Sequence, residues 1–171
     1  MSTNKFLTIL TDGLQTLVTA ISSSSGGSDA NKIIATDGSG KLDSTFLPTG
    51  IGPDTVTIEA TENLAAGDFI NIHNSTGPKV RKADGSNARA AHGFVLASVT
   101  SGQNATVYRS GVNSGLTSLT PGAVYWLSTA TAGAVTATAP TQTSGHINQV
   151  LGIAESTTSI SFEYNAPIAF E

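Results

Sequence analysis

Near the start of the chain the apolar positions fall at Leu7, Leu10, Leu14, Leu17 and Ile21, spaced three, four, three and four apart. This is the a/d rhythm of a heptad repeat, and it predicts an amphipathic α-helix over residues 1–22. Phe6, Ile9 and Val18 widen the apolar stripe, and Ser2, Thr3 or Asn4 stands where an N-cap belongs. Gly13 and the interspersed threonines weaken the helix, the glycine alone by about 1 kcal/mol, and an isolated helix of about 15 residues is marginal in water. It therefore needs a partner, which is its own β domain, a bundle of copies or another protein.

The pattern then breaks. Ser22-Ser23-Ser24-Ser25-Gly26-Gly27-Ser28 has nothing apolar to bury and reads as a flexible linker. Residues 23–53 as a whole read as this linker followed by an extended arm. The arm has a short apolar piece at Ile33 and Ile34, a turn at Asp37-Gly38-Ser39-Gly40, and a second anchor at Leu42, Phe46 and Leu47. Pro48, Gly50, Gly52 and Pro53 oppose regular structure after it. Such an arm can hardly build a core alone, and it suits a chain that lies across a neighbouring surface.

Over residues 54–171 the alternation changes to period two. Val56 and Ile58 alternate with threonines, and short β-type runs follow at Phe69–Ile72, Val80–Lys82, Phe94–Ala97, Ala105–Tyr108, Val124–Leu127, Val135–Ala137, Gln149–Leu151 and Ile160–Phe162. Glycine, proline and asparagine turns separate them. This punctuation predicts an all-β sandwich or barrel and no helix after residue 54. An internal echo runs through it. Leu64-Ala65-Ala66-Gly67-Asp68-Phe69-Ile70 resembles Leu119-Thr120-Pro121-Gly122-Ala123-Val124-Tyr125, and Gly93-Phe94-Val95 resembles Gly152-Ile153-Ala154. The echo suggests a duplicated unit over about 64–110 and 119–164, two halves folded around a pseudo-twofold into one barrel.

Composition narrows the function. The chain is 39% hydrophobic and only 12% charged, against roughly 25% charged in an average soluble domain. With Lys+Arg 8 and Asp+Glu 12 the net charge is −4, so no basic stripe neutralises a run of phosphates and nucleic-acid binding is not expected. The absence of cysteine removes thiolate catalysis and Cys-ligated zinc. The apolar start is interrupted too often by polar residues to be a membrane span or signal peptide, which points to a chain made soluble in the cytoplasm. His73, His92 and His146 have no second histidine at metal-ligand spacing, and no Gly-x-Ser-x-Gly elbow is present. Around Gly40-Lys41, Ala35 and Leu42 occupy the places where a phosphate loop needs glycine and Ser/Thr. Asp37, Ser39 and Asp43 loosely imitate a calcium loop that lacks its closing glutamate. Tyr125 and Trp126 must face opposite sides of a strand, one toward the core and the other toward an interface. No cofactor, metal or catalytic set is expected, and the chain reads as a structural assembly protein.

Two stretches resemble a known group. Ala30-Asn31-Lys32-Ile33-Ile34-Ala35-Thr36-Asp37-Gly38-Ser39-Gly40-Lys41-Leu42-Asp43 through Pro48 resembles an arm found in virion proteins of tailed bacteriophages. The segments Gly93-Phe94-Val95-Leu96-Ala97, Ala105-Thr106-Val107-Tyr108 and Pro121-Gly122-Ala123-Val124-Tyr125-Trp126 are similar in rhythm to phage capsid decoration (cement) proteins of the lambda-type, β-tulip group. That resemblance implies a homotrimer on the outer surface of the icosahedral head, reinforcing contacts between major capsid subunits. The docking residues would be Leu7, Leu10, Leu14, Leu17, Ile21, Ile33, Ile34, Leu42, Phe46 and Leu47. A tail-fibre, spike or head-fibre module for attachment to host-surface glycans is the alternative.

Overall fold

The computed structural model describes residues 5–9, 13–47 and 52–171, in two units, Met1–Gly52 and Pro53–Glu171. The chain is all-β, as its punctuation predicts, but the heptad-spaced leader is a hairpin and not a helix. β1 (Lys5–Ile9) and β2 (Gln15–Thr19) pair antiparallel, with Phe6 opposite Val18 and Leu7 opposite Leu17. The residues between the leucines decide the outcome. Thr8, Ile9, Thr16, Val18 and Thr19 are β-branched; such side chains lose rotamer freedom in a helix and fit a pleated strand. Gly13, in the connection, stands at φ +81°, a left-handed conformation that a helix interior excludes. Leu10, the cap candidates Ser2, Thr3 and Asn4, and Pro48 and Gly50 lie outside the described residues.

In the second unit β3 (Thr55–Glu59), β4 (Phe69–Asn74), β5 (Pro78–Lys82), β6 (Gly93–Phe94) and β7 (Asn104–Tyr108) form one antiparallel sheet in the order β3-β7-β6-β4-β5. A second sheet contains β8 (Gly111–Asn113), β9 (Val124–Leu127), β10 (Val135–Thr136), β12 (Val150–Ala154) and β13 (Ile160–Phe162) in the order β8-β13-β12-β9-β10. β11 (Ile147–Asn148) pairs separately with β14 (Ile168–Ala169). Strand for strand, the two five-stranded sheets have the same order.

The hydrogen bonds repeat as well. Gly67 N–H donates to Val95 C=O and Gly122 N–H to Ala154 C=O, both at 2.8 Å. Val95 N–H returns to Asp68 C=O and Ala154 N–H to Ala123 C=O, both at 3.0 Å. The two turn glycines share the left-handed conformation, φ +90° at Gly67 and +82° at Gly122. Each sheet curls over a small cluster of its own. Leu64, Ile70, Val95 and Ala105 belong to the first, and Leu119, Tyr125, Ala154 and Ile160 to the second.

The largest cluster lies where the halves meet, and it joins unlike faces. Phe69 and Phe94 come from one side of the first sheet, alternating with the Ile70 and Val95 of its own cluster. Against them pack Leu127 and Phe162, which share the inner side of the second sheet with Tyr125 and Ile160. A pseudo-twofold would bring equivalent faces together; this junction repeats front to back. Three phenylalanines fasten it, Phe69 to Phe162 at 5.3 Å and Phe94 to Phe162 at 5.9 Å, both edge-on, the geometry aromatic quadrupoles prefer.

His92 sits at this edge, half-buried, with the Ile72 N–H donating to its Nδ1 at 2.9 Å. Burial holds its pKa below the ordinary histidine value, and burial acts the same way on His73. The unfolded chain therefore takes up these protons more readily than the folded one. The stability contributed by neutral His92 is complete above the unfolded value of about 6.5 and is lost as pH falls through it toward the lower folded value. Denaturant midpoints should fall between about pH 7.5 and about pH 5, and His92→Gln should flatten part of that decline. Parallel pH curves for the two proteins would remove His92 from this role.

Candidate functional site

The leader unit contains no buried residue among those described. Leu7, Ile9 and Leu17, all more than 60% exposed, share one face of the β1–β2 hairpin, and Phe6 and Val18 share the other. A two-stranded hairpin is at best marginally stable in water without something against an apolar face. This one has apolar side chains on both faces, so one covering layer leaves the other face wet. Its two outer edges also offer unpaired backbone groups to a further strand.

Beyond the hairpin the arm is tied into turns and is not a free linker. Ile21 N–H donates to Ile33 C=O (2.9 Å) and Ala35 N–H to Ile21 C=O (2.8 Å), a parallel bridge between Ile21 and Ile34 that closes the serine-rich loop at its base. Within the loop, the Ser25 N–H (2.6 Å) and hydroxyl (2.8 Å) donate to one Asp29 carboxylate oxygen and Lys32 Nζ to the other (2.6 Å). The Lys32 and Ser25 hydrogen bonds hold the Asp29 carboxyl well below the usual carboxylate range. Serines that look uncommitted in the sequence thus close a turn. Ser24 N–H also donates to the Thr45 hydroxyl at 2.7 Å.

The Asp37 loop uses its carboxylate on itself. One oxygen accepts from Ser39 N–H (2.8 Å) and Lys41 N–H (2.9 Å), the ordinary work of an Asx turn. Asp43 does the same for the short 3₁₀ turn Ser44–Phe46, accepting from the Thr45 N–H and hydroxyl. Among the described residues no three His, Asp or Glu side chains converge as a metal cage. The turns present apolar side chains outward: Ile33, Ile34, Leu42 and Leu47 are exposed, while Ile21 and Phe46 are half-buried. Leu14 is exposed as well. Of the ten anchors expected from the sequence, the structure thus places nine in one unit, and Leu10 lies outside the described residues.

No family model, curated protein or solved structure matches this chain. The case for its function therefore rests on its surfaces. In the β unit, three of the five lysines and arginines are ion-paired within the unit: Lys82 with Asp68 (3.0 Å), Arg109 with Asp54 (2.6 Å) and Lys79 with Glu59 (2.5 Å). Asp84 is pushed up by burial, but donors from Asn87 and Ser86 outweigh this and hold it below the usual range. These carboxylates are committed to structure. Tyr125 is buried with its hydroxyl accepting from Thr120 N–H at 2.9 Å, while Trp126 faces the other side, half-exposed.

That other side is a surface the sequence does not announce. Val112, Ser161, Ile153 and Val124 form one straight row across the second sheet, and Val112 (47%) and Ile153 (53%) are exposed. A shallow depression of about 350 Å³ lies over it, reached by Val150, Glu163 and Asn165. Each residue looks like an ordinary strand side chain in the sequence. The signal that could have found them is the echo itself, which sets Val124 and Ile153 in the places of the buried Phe69 and Phe94.

Proposed function

We propose that this chain is a capsid decoration protein of a tailed bacteriophage. Its leader docks on the outer surface of the icosahedral head, across major capsid subunits, and its β unit is carried there as the projecting body. The observation that supports this reading most is the leader's burial pattern: apolar side chains on both faces of a hairpin and along the following turns, with no buried residue among those described. Exposing that much apolar surface is unfavourable at roughly 25 cal/mol per Å², so the leader is a part whose cover comes from other chains. Turn-held anchors lose less conformational entropy on docking than a disordered tail does, and many symmetric copies on one shell add avidity.

The resemblance of residues 30–48 to phage virion arms supplies the partner class. The low charge of the chain suits a surface that packs without strong electrostatic patterning. In this role the chain needs no bound cofactor, and its partners are the major capsid protein and further copies of itself.

The test is binding to expanded heads purified from the particle that carries the chain. Leu7 and Leu17 are paired across the hairpin on one face, so Leu7→Asp with Leu17→Asp places two charges in the docking surface. The double variant should bind heads roughly 1,000-fold more weakly, at about 2 kcal/mol for each central apolar anchor. Full occupancy by the double variant would remove the hairpin from the docking surface.

A further inference from the structure

We infer that the Asp37-Gly38 bond in the arm is a self-modification site, at which the aspartate isomerises through a cyclic imide to isoaspartate without any enzyme. This is a covalent change in the arm itself and holds whatever the leader docks on, so it stands apart from the capsid reading.

The chemistry is an intramolecular attack. The Gly38 backbone nitrogen bonds to Cγ of the Asp37 carboxylic acid, the Cγ–OH bond breaks, and the hydroxyl leaves as water with the amide proton. Water then adds back to the five-membered imide. Opening at the side-chain carbonyl restores aspartate. Opening at the main-chain carbonyl leaves isoaspartate, with Cβ and Cγ in the main chain and the former carbonyl as a free carboxylate. Only water is exchanged. Such a step needs a free nucleophile, a carboxyl held beside it and a following residue without bulk.

Three Asp-Gly pairs occur in the chain, Asp12-Gly13, Asp37-Gly38 and Asp84-Gly85. Asp12 lies outside the described residues, and the other two pairs have contrary settings. Asp37 and Gly38 are both exposed, and the Gly38 N–H donates to no group among the described residues. A Cβ at Gly38 would meet nothing within 4 Å, so its peptide can turn toward the carboxyl without displacing a neighbour. The Ser39 and Lys41 N–H groups donate to Asp37 Oδ1 at 2.8 and 2.9 Å. They fold the carboxyl back over the turn that Gly38 begins, and they stand ready for the negative charge that gathers on this oxygen as the tetrahedral centre forms.

At Asp84-Gly85 each of these conditions is reversed. Gly85 is buried, its N–H donates to Ser128 C=O at 3.1 Å, and a Cβ there would come within 2.9 Å of Thr129 Cγ2. The Asp84 carboxyl is held by the Ser86 N–H (2.9 Å) and hydroxyl (2.7 Å) and by Asn87 Nδ2 (2.6 Å). Imide formation there has to wait for local opening of the β unit. At Asp37 it does not. Isoaspartate lengthens the main chain and turns the acceptor of Ser39 and Lys41 into a peptide carbonyl. The turn between the exposed Ile34 and Leu42 is then lost, and more copies lose it as the protein ages.

The full chain, incubated for weeks in neutral buffer at physiological temperature, should accumulate isoaspartate at Asp37. Digestion and mapping locate it as a peptide of unchanged mass that elutes apart from its parent and accepts a methyl group from isoaspartyl methyltransferase, preceded by an imide form one water lighter. Conversion at Asp37 should run at least about tenfold faster than at Asp84, whose opening breaks buried hydrogen bonds. Unfolding in urea should bring the two rates together. Gly38→Val is accommodated, because Gly38 lies outside the left-handed region and meets open space. It should slow conversion at Asp37 at least about tenfold by crowding the attacking nitrogen with a branched Cβ, with thermal unfolding unchanged, and Asp37→Ala should remove the signal from that peptide. Conversion at Asp37 no faster than at Asp84 in the folded chain, rates that stay apart in urea, or a parental rate in Gly38→Val overturns the inference.

Discussion

Replacing Gln149 by alanine is expected to destabilise the β unit by about 3–5 kcal/mol, the largest effect of any polar substitution in it. Gln149 is 1% exposed. Its amide acts as a piece of backbone: Oε1 accepts from Ala91 N–H at 2.7 Å, and Nε2 donates to Ala91 C=O at 2.9 Å and to Asn165 C=O at 2.8 Å. One side chain from the second half thereby satisfies both polar groups of a fully buried residue of the first and fastens the chain's last segment. Alanine strands both buried Ala91 groups and opens a cavity. Leucine fills most of the volume and strands the same groups, so Gln149→Leu isolates the hydrogen-bond loss, about 1–3 kcal/mol for each buried group left unmade. Urea midpoints for the two variants check this. A loss below about 1 kcal/mol for Gln149→Leu would mean that water reaches Ala91 in the folded state.

The same residue shows why part of the fold was legible and part was not. Gln149 belongs to a run that the period-two pattern marks as strand, yet its side chain does what backbone amides do, and no local pattern encodes a partner 58 residues away. The strands themselves were legible wherever alternating β-branched or aromatic residues ran for three or more positions, as at Val56–Ile58, Phe69–Ile72 and Ile160–Phe162. Gly111–Asn113, Ile147–Asn148 and Ile168–Ala169 were not, because two or three residues carry no periodicity and only tertiary pairing makes them strands. Phe94–Ala97 stops early, at Phe94, because the Val95 N–H and C=O go to Asp68 and Gly67 in the cross-link that the repeat conserves.

The leader failed for a different reason. Apolar residues on both faces of a hairpin imitate a heptad stripe, since Leu7, Leu14 and Leu17 satisfy three-and-four spacing while Phe6, Ile9 and Val18 satisfy strand alternation. Propensity between those positions, and Gly13, was the better guide. The change of secondary structure still leaves Leu7, Leu14 and Leu17 exposed, so the docking proposal does not depend on a helix. The open face of the second sheet was the least legible feature: its residues are ordinary one by one, and only the first half's covered counterpart gives them meaning.

Deleting residues 1–52 is expected to abolish head binding while leaving the remaining body folded, melting within about 3 °C of the full chain. Every buried residue of the three apolar clusters lies between Ile58 and Phe162, and among the described residues the buried apolar ones begin at Ile58. The truncation therefore removes none of the buried residues of those clusters. The leader's own hairpin and turns are held by backbone pairing, short side-chain hydrogen bonds and one exposed Asp29–Lys32 ion pair, and exposed ion pairs contribute about 0–1 kcal/mol. On the proposed reading the leader is the docking surface and the body holds the core, so the two measurements separate. Differential scanning calorimetry reads the body, and co-sedimentation with expanded heads reads the leader. A truncated chain that still decorates heads at full occupancy would move the docking surface to the β unit. A truncated chain that no longer folds would show the leader's apolar side chains to be part of the body's own stability, and the division of labour proposed for the two units would fail with it.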